Sequence, residues 1–150
     1  MVNIITVDGP AGVGKGTVCK LLAKDLDAKV LNSGEIFRTL TYYLKKDKVD
    51  FENTTSIIKS AENFKYKKIS SNKLYSRDID LISSKISMIP SLRKITIRIQ
   101  KDFVKLHKYT TKTIIAEGRD MGTAIFPKAD VKIFMWAKAE IRAKRRLIQI

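Results

Sequence analysis

Gly9-Pro10-Ala11-Gly12-Val13-Gly14-Lys15-Gly16-Thr17 follows directly on the apolar run Val2, Ile4, Ile5 and Val7, the arrangement of a strand entering a phosphate-binding loop. A polyphosphate needs a concave surface of backbone N–H donors, and glycines at 9, 12, 14 and 16 let the chain take positive φ and approach phosphates with no Cβ in the way. Lys15 adds a point charge. The helix expected to begin near Lys15 aims its N–H groups and its dipole at the same place, so geometry and electrostatics agree. Loops of this kind usually carry Ser or Thr straight after the lysine, but here Gly16 takes that place and Thr17 follows. The whole loop, Gly9 to Thr17, is assigned to the phosphates of a nucleotide.

Outward from the loop, strand and helix signals alternate. Residues 15–26 put Val18, Leu21, Leu22 and Leu26 on one helical face and Lys20 and Lys24 on the other. Residues 28–31 read as a short strand, with Asn32-Ser33 capping a helix over 34–46. A weaker helix is expected over 55–64, a hairpin over 66–75 turning at Ser71-Asn72, and a helix over 78–89. Pro90 opens the next helix, with Leu92, Ile95, Ile99, Phe103 and Leu106 as its buried stripe. Strands over 113–117 and 131–136 and a helix over 137–146 complete the pattern. Strands separated by helices imply an α/β fold, a parallel sheet wrapped on both faces, with ligands at the carboxyl ends of the strands.

The 150 residues suit one domain with a sizeable core, 44% of them hydrophobic, and no apolar run approaches the ~20 residues of a membrane span. A cytoplasmic protein with no membrane partner is expected. The single cysteine, Cys19, precludes an internal disulfide and reads as a small buried residue. The net charge of +15 would suit nucleic acid if it were clustered. Instead, 22 of the 30 basic residues are lysines scattered along the chain, with no RNA-recognition, helix-turn-helix or zinc-finger pattern beside them. No specific nucleic-acid partner is expected.

Four segments in order resemble the bacterial cytidylate kinases: residues 7–17; Asn32-Ser33-Gly34-Glu35-Ile36-Phe37-Arg38; Ser84-Lys85-Ile86-Ser87 with Pro90 and Arg93; and Gly118-Arg119-Asp120-Met121-Gly122-Thr123 followed by Phe126-Pro127. The Gly-Lys-Gly-Thr form of the loop is shared by nucleoside monophosphate kinases such as adenylate kinase. The last segment, coming after a Ser-Gly-x-Ile-aromatic-Arg segment, is what separates cytidylate from adenylate kinases. The resemblance implies a P-loop NTPase fold, a single kinase domain over residues 1–150 with core about 1–46 and 76–150 and a monophosphate-binding insertion about 47–75. It implies a monomer that transfers the γ-phosphate of ATP, with Mg2+, to CMP or dCMP. Asp120, Arg93 and Ser84 would read the cytosine edge with Ser33 beside them, and Arg38 and Arg119 would hold the acceptor phosphate. Lys15, Arg119, Arg142 and Arg146 would surround the moving phosphoryl group.

The residue chemistry fits that reading. Cytosine offers an amine donor and ring acceptors, so a carboxylate, an arginine and a hydroxyl can read its edge. Arg38 can take a phosphate bidentately, or else form an ion pair with Glu35 or Asp47. Gly16 offers no hydroxyl to a metal, so no direct protein ligand is expected; Thr17, Asp8 and Glu117 reach magnesium through water, and Asp8 serves equally as an acceptor that fixes the loop. His107 reads as a capping or surface residue, and Arg77 is unassigned. In the family, the helix bearing Arg142, Arg145 and Arg146 leads into a lid arm, a further helix and a last strand, so a C-terminally incomplete domain is expected. Two alternatives remain at this point: a noncatalytic nucleotide-binding fragment, or a P-loop kinase for another small acceptor.

Overall fold

Runs of β-branched residues pair as strands, and segments of 3.6-residue apolar period cover them as helices. The computed structural model describes residues 1–149, apart from the side chains of Ser71, Arg146 and Gln149. The elements in order are β1 (Asn3–Asp8), α1 (Lys15–Asp25), β2 (Lys29–Asn32), α2 (Ser33–Lys46), α3 (Thr54–Glu62), α4 (Ser71–Leu74), α5 (Arg77–Ile86), α6 (Pro90–His107), β3 (Thr113–Gly118), a π-helical turn (Met121–Ile125), β4 (Val131–Phe134) and α7 (Ala139–Gln149). The four strands form a parallel sheet in the order β2-β3-β1-β4. Asp8 stands opposite both Gly118 and Phe134, and Asn32 opposite Glu117, so the carboxyl ends of all four strands finish at one level. This is the α/β parallel sheet expected from the sequence.

The chain divides into two compact units, one of Met1–Ser33 with the chain from Gln100 onward, the other Gly34–Ile99. In the first, Val7, Cys19 and Ile115 are fully buried, and Leu22, Ala23, Val30 and Ile133 pack against them. The second has its own core of Phe37, Leu40, Leu44, Ile57, Ala61, Ile86 and Leu92. Caps fix its helix starts: Asn53 Oδ1 accepts from Ser56 N, and Ser76 Oγ accepts from Ile79 N.

Four local expectations are corrected. The buried face of α1 runs through Cys19, Leu22 and Ala23, while Leu21 and Leu26 are exposed, because a sheet-facing stripe is little more than 100° wide. On α6 the stripe continues through Leu92, Thr96, Ile99 and Gln100; Leu106, in the last turn, is exposed. The hairpin over 66–75 is absent: residues 64–70 have no regular structure and α4 is a single turn. A lone two-stranded ribbon is marginal, and this segment is instead pinned by side chains, with Leu74 fully buried and Tyr66 Oη donating to Glu35 Oε1 at 3.2 Å. α5 also ends at Ile86, short of Pro90.

Burial pushes the Cys19 thiol up to about 12, with the charge of Glu117 adding to the effect. Native protein should therefore leave Cys19 unalkylated by iodoacetamide at pH 8, whereas denatured protein should react fully, as intact mass would show. The unfolded thiol ionises first as pH rises, so this contribution to stability is whole below the ordinary thiol value of 9.0 and is lost as pH climbs towards about 12.

Candidate active site

The loop between β1 and α1 owes its shape to its neighbours. Gly12 has φ +77°, and a Cβ there would come within 2.7 Å of Arg142 O on α7; a Cβ on Gly9 would collide with Met135 O. Gly14, at φ +102°, precedes α1 and offers its first turn no side-chain cap. Lys15 Nζ donates to Gly9 O at 2.8 Å and Pro10 O at 3.0 Å. Burial lowers the pKa of Lys15, the carboxylate of Glu117 opposes that, and the charge of Arg119 adds to it. A desolvated ammonium among carbonyl dipoles is a strong attractor for an anion. Gly16 is helical and needs no positive φ, and a Cβ there would meet both Glu117 oxygens at 3.9 Å, an ordinary contact, so neither backbone strain nor crowding demands glycine at this position.

Two carboxylates end the central strands and do different work. Glu117 is half-buried, and its Oε2 accepts from Asn32 Nδ2 at 2.8 Å, so Asn32 serves Glu117 with its side chain. Asp8 is buried, with Oδ1 accepting from Met121 N and Oδ2 from Gly122 N, both at 2.8 Å. Asp8 is thus a structural acceptor as expected, but what its carboxylate fixes is the Met121–Gly122 turn, not the glycine loop. Of the three residues considered for water-mediated magnesium, Glu117, beside the helix start, has the fitting donor chemistry, and Thr17 is exposed. After β3, Arg119 is exposed and Asp120 half-buried. Ser33 Oγ accepts from Gln100 Nε2 at 3.0 Å.

Arginines of α7 brace the loop. Arg142 donates through Nε to Ala137 O and through Nη1 to Ala11 O, while Arg145 Nη1 donates to Val13 O at 3.0 Å. Arg146 lies on α7, and its side chain is outside the described residues. The structure thus brings Lys15, Glu117, Arg142 and Arg145 around the glycine loop.

Arg38, Ser84 and Arg93 belong to the second unit. Arg38 Nε donates to Asp80 Oδ1 at 2.8 Å and its guanidinium lies 5.0 Å from the ring centre of Tyr75, so it forms an ion pair with Asp80, a partner the sequence had not suggested. Ser84 is exposed and Arg93 half-buried. A groove of about 350 Å³ on this unit, lined by residues including Tyr43, Leu44 and Phe64, contains none of the three.

Sequence reasoning missed Gln100, which is buried with Oε1 unpartnered while Nε2 holds Ser33. The signal was present, an uncharged amide within the apolar stripe of α6. Asp80 and Arg145 carried no signal beyond charge. His107 fulfils its expected role near a helix end, with Nδ1 against Phe103 O at 2.9 Å.

Among the described residues no helix is long and apolar enough to cross a membrane. The crystal structure of TT1252 from Thermus thermophilus shares the fold, with a TM-score of 0.54 and 16% identity over 98% of this chain and 72% of that one. The cytidylate kinase of Mycoplasmopsis synoviae is 38% identical over 97% of this chain and 70% of its own length. That of Vibrio cholerae is 35% identical over 98% and 69%. The cytidylate kinase family model matches residues 5–150, the glycine loop and the Gly118–Thr123 segment included, and with these likenesses it shows that the chain belongs to the cytidylate kinase family.

Proposed function

We propose that this chain transfers the γ-phosphoryl group of ATP to the 5′-phosphate of CMP or dCMP, giving ADP and CDP or dCDP. The observation that carries the reading is Lys15, desolvated beside the glycine loop and held on two loop carbonyls at the start of α1. Donor phosphates take the loop amides and the first-turn N–H groups of α1, and Lys15 exchanges carbonyls for phosphate oxygens. A phosphate oxygen of the acceptor attacks in line and ADP leaves, so no side chain acts as a nucleophile. Magnesium would supply charge neutralisation at the donor phosphates, and Glu117, with Thr17, would hold it through water.

In the same proposal Arg119, Arg142 and Arg146 stabilise charge on the moving group. Ser33, Ser84, Arg93 and Asp120 select the base, and Arg38 and Arg119 hold the acceptor phosphate. The second unit, with the insertion about 47–75, serves the acceptor. Arg38 would then exchange part of its pairing with Asp80 for phosphate, which a guanidinium with five donors can do.

A coupled ADP-release assay with CMP, dCMP, UMP, AMP and shikimate tests the reading; turnover greatest with UMP, AMP or shikimate would overturn it. Lys15→Ala should keep the fold, by circular dichroism, and lower turnover at least about a hundredfold. Asp120→Ala should weaken CMP by about 1–3 kcal/mol and leave ATP nearly unchanged in calorimetric titrations.

A further inference from the structure

The π-helical turn after Asp120 begins with main-chain N–H groups that, as at any helix start, have no acceptor within the turn. Asp120 occupies the cap position, where an aspartate ordinarily accepts from those amides, yet its side chain makes no capping hydrogen bond. The acceptor comes instead from another strand. Asp8, the last residue of β1, sends one carboxylate oxygen to Met121 N and the other to Gly122 N, at 2.8 Å each, in a buried setting. Gly122 permits the approach: a Cβ there would lie 2.6 Å from Thr6 Oγ1 and 3.3 Å from Asp8 Oδ2.

We propose that Asp8 is a positioning residue for the acceptor nucleotide, capping the Met121–Gly122 turn so that the Asp120 carboxylate is kept from capping it. The inference rests on the reading of Asp120 as a base-recognition group. Two charge-assisted bonds to rigid main chain fix where Arg119 and Asp120 leave β3. Without them, Asp120, which occupies the cap position of the turn, is the carboxylate placed to satisfy the buried amides, and it turns inward. The donor loop depends on Asp8 differently, through main chain, with Met135 N donating to Asp8 O at 2.8 Å. That bond survives a change of side chain. The asymmetry predicts an acceptor-selective defect.

Asp8→Asn preserves size but offers the two amides one acceptor and one opposing donor. It should raise the Kd for CMP about tenfold or more while changing that for ATP less than about threefold, since the lost charge-assisted bonds hold the acceptor-side turn and the Asp8 charge is the smallest of the influences on Lys15. Hydrogen exchange followed by NMR should show the Met121 and Gly122 amides losing protection while the β1–β3 ladder keeps its own. Equal losses for both nucleotides would overturn the proposal, as would unchanged CMP affinity or unchanged protection of the two amides. If Asp8→Asn fails to fold, Gly122→Ala strains the same contact from the other side. It should show the same acceptor-selective loss, and Thr6→Ala in that background should recover at least part of it, because the deleted hydroxyl is the nearest obstacle and has no hydrogen-bond partner. No recovery would again overturn the proposal. If the unaltered chain takes no CMP, the acceptor reading falls, and amide exchange still decides whether Asp8 holds the turn.

Discussion

Parallel pairing of β1 with β3 sets Asp8 level with Gly118, and most of what the first unit offers a ligand depends on that register. One strand runs on into the glycine loop and the other into Arg119 and Asp120. A shift by a single residue would turn every side chain of a strand to the opposite face, taking Val7 and Ile115 out of the core. The apolar pattern therefore enforces the register, and the register delivers two different functional segments to one end of the sheet.

The glycine loop illustrates how little of a phosphate-binding shape needs to be side chain. Its shape follows from backbone contacts: Gly9 lies against the carbonyl of Met135 and Gly12 against that of Arg142, while Arg142 and Arg145 occupy loop carbonyls that would otherwise repel an incoming phosphate. The lysine is the exception. Its ammonium is already partly stripped of water, so part of the desolvation cost of anion binding is met during folding, where core burial offsets it. The same logic explains an amide beneath Ser33: Gln100 is costly to bury, but it fixes a hydroxyl that a loose side chain would leave undirected.

What could be read from the sequence divides along physical lines. Loop, strands and most helices were legible because each is a local pattern: glycine spacing, β-branched runs and apolar period. The segment 66–75 differs from the expected hairpin because Ser71-Asn72 has the residue types of a tight turn, whereas the tertiary anchors at Tyr66 and Leu74 hold the segment with no partner strand. Within the site, Lys15, Gly12 and Glu117 stood out by position, whereas the pairing of Arg38 with Asp80 joins residues 42 apart in the chain and left no local trace. Asp8 lay between, visible as a residue of interest but with its partners, Met121 and Gly122, more than a hundred positions away.

The one tryptophan of the chain, Trp136, follows Met135, whose carbonyl lies against Gly9, and it is 72% exposed. Indole emission responds to the polarity and motion of its surroundings, so Trp136 is an optical reporter wired by one peptide bond to the wall of the glycine loop. Any rearrangement there that displaces Met135 is transmitted to a chromophore that no other tryptophan obscures, and loop events become measurable without a label.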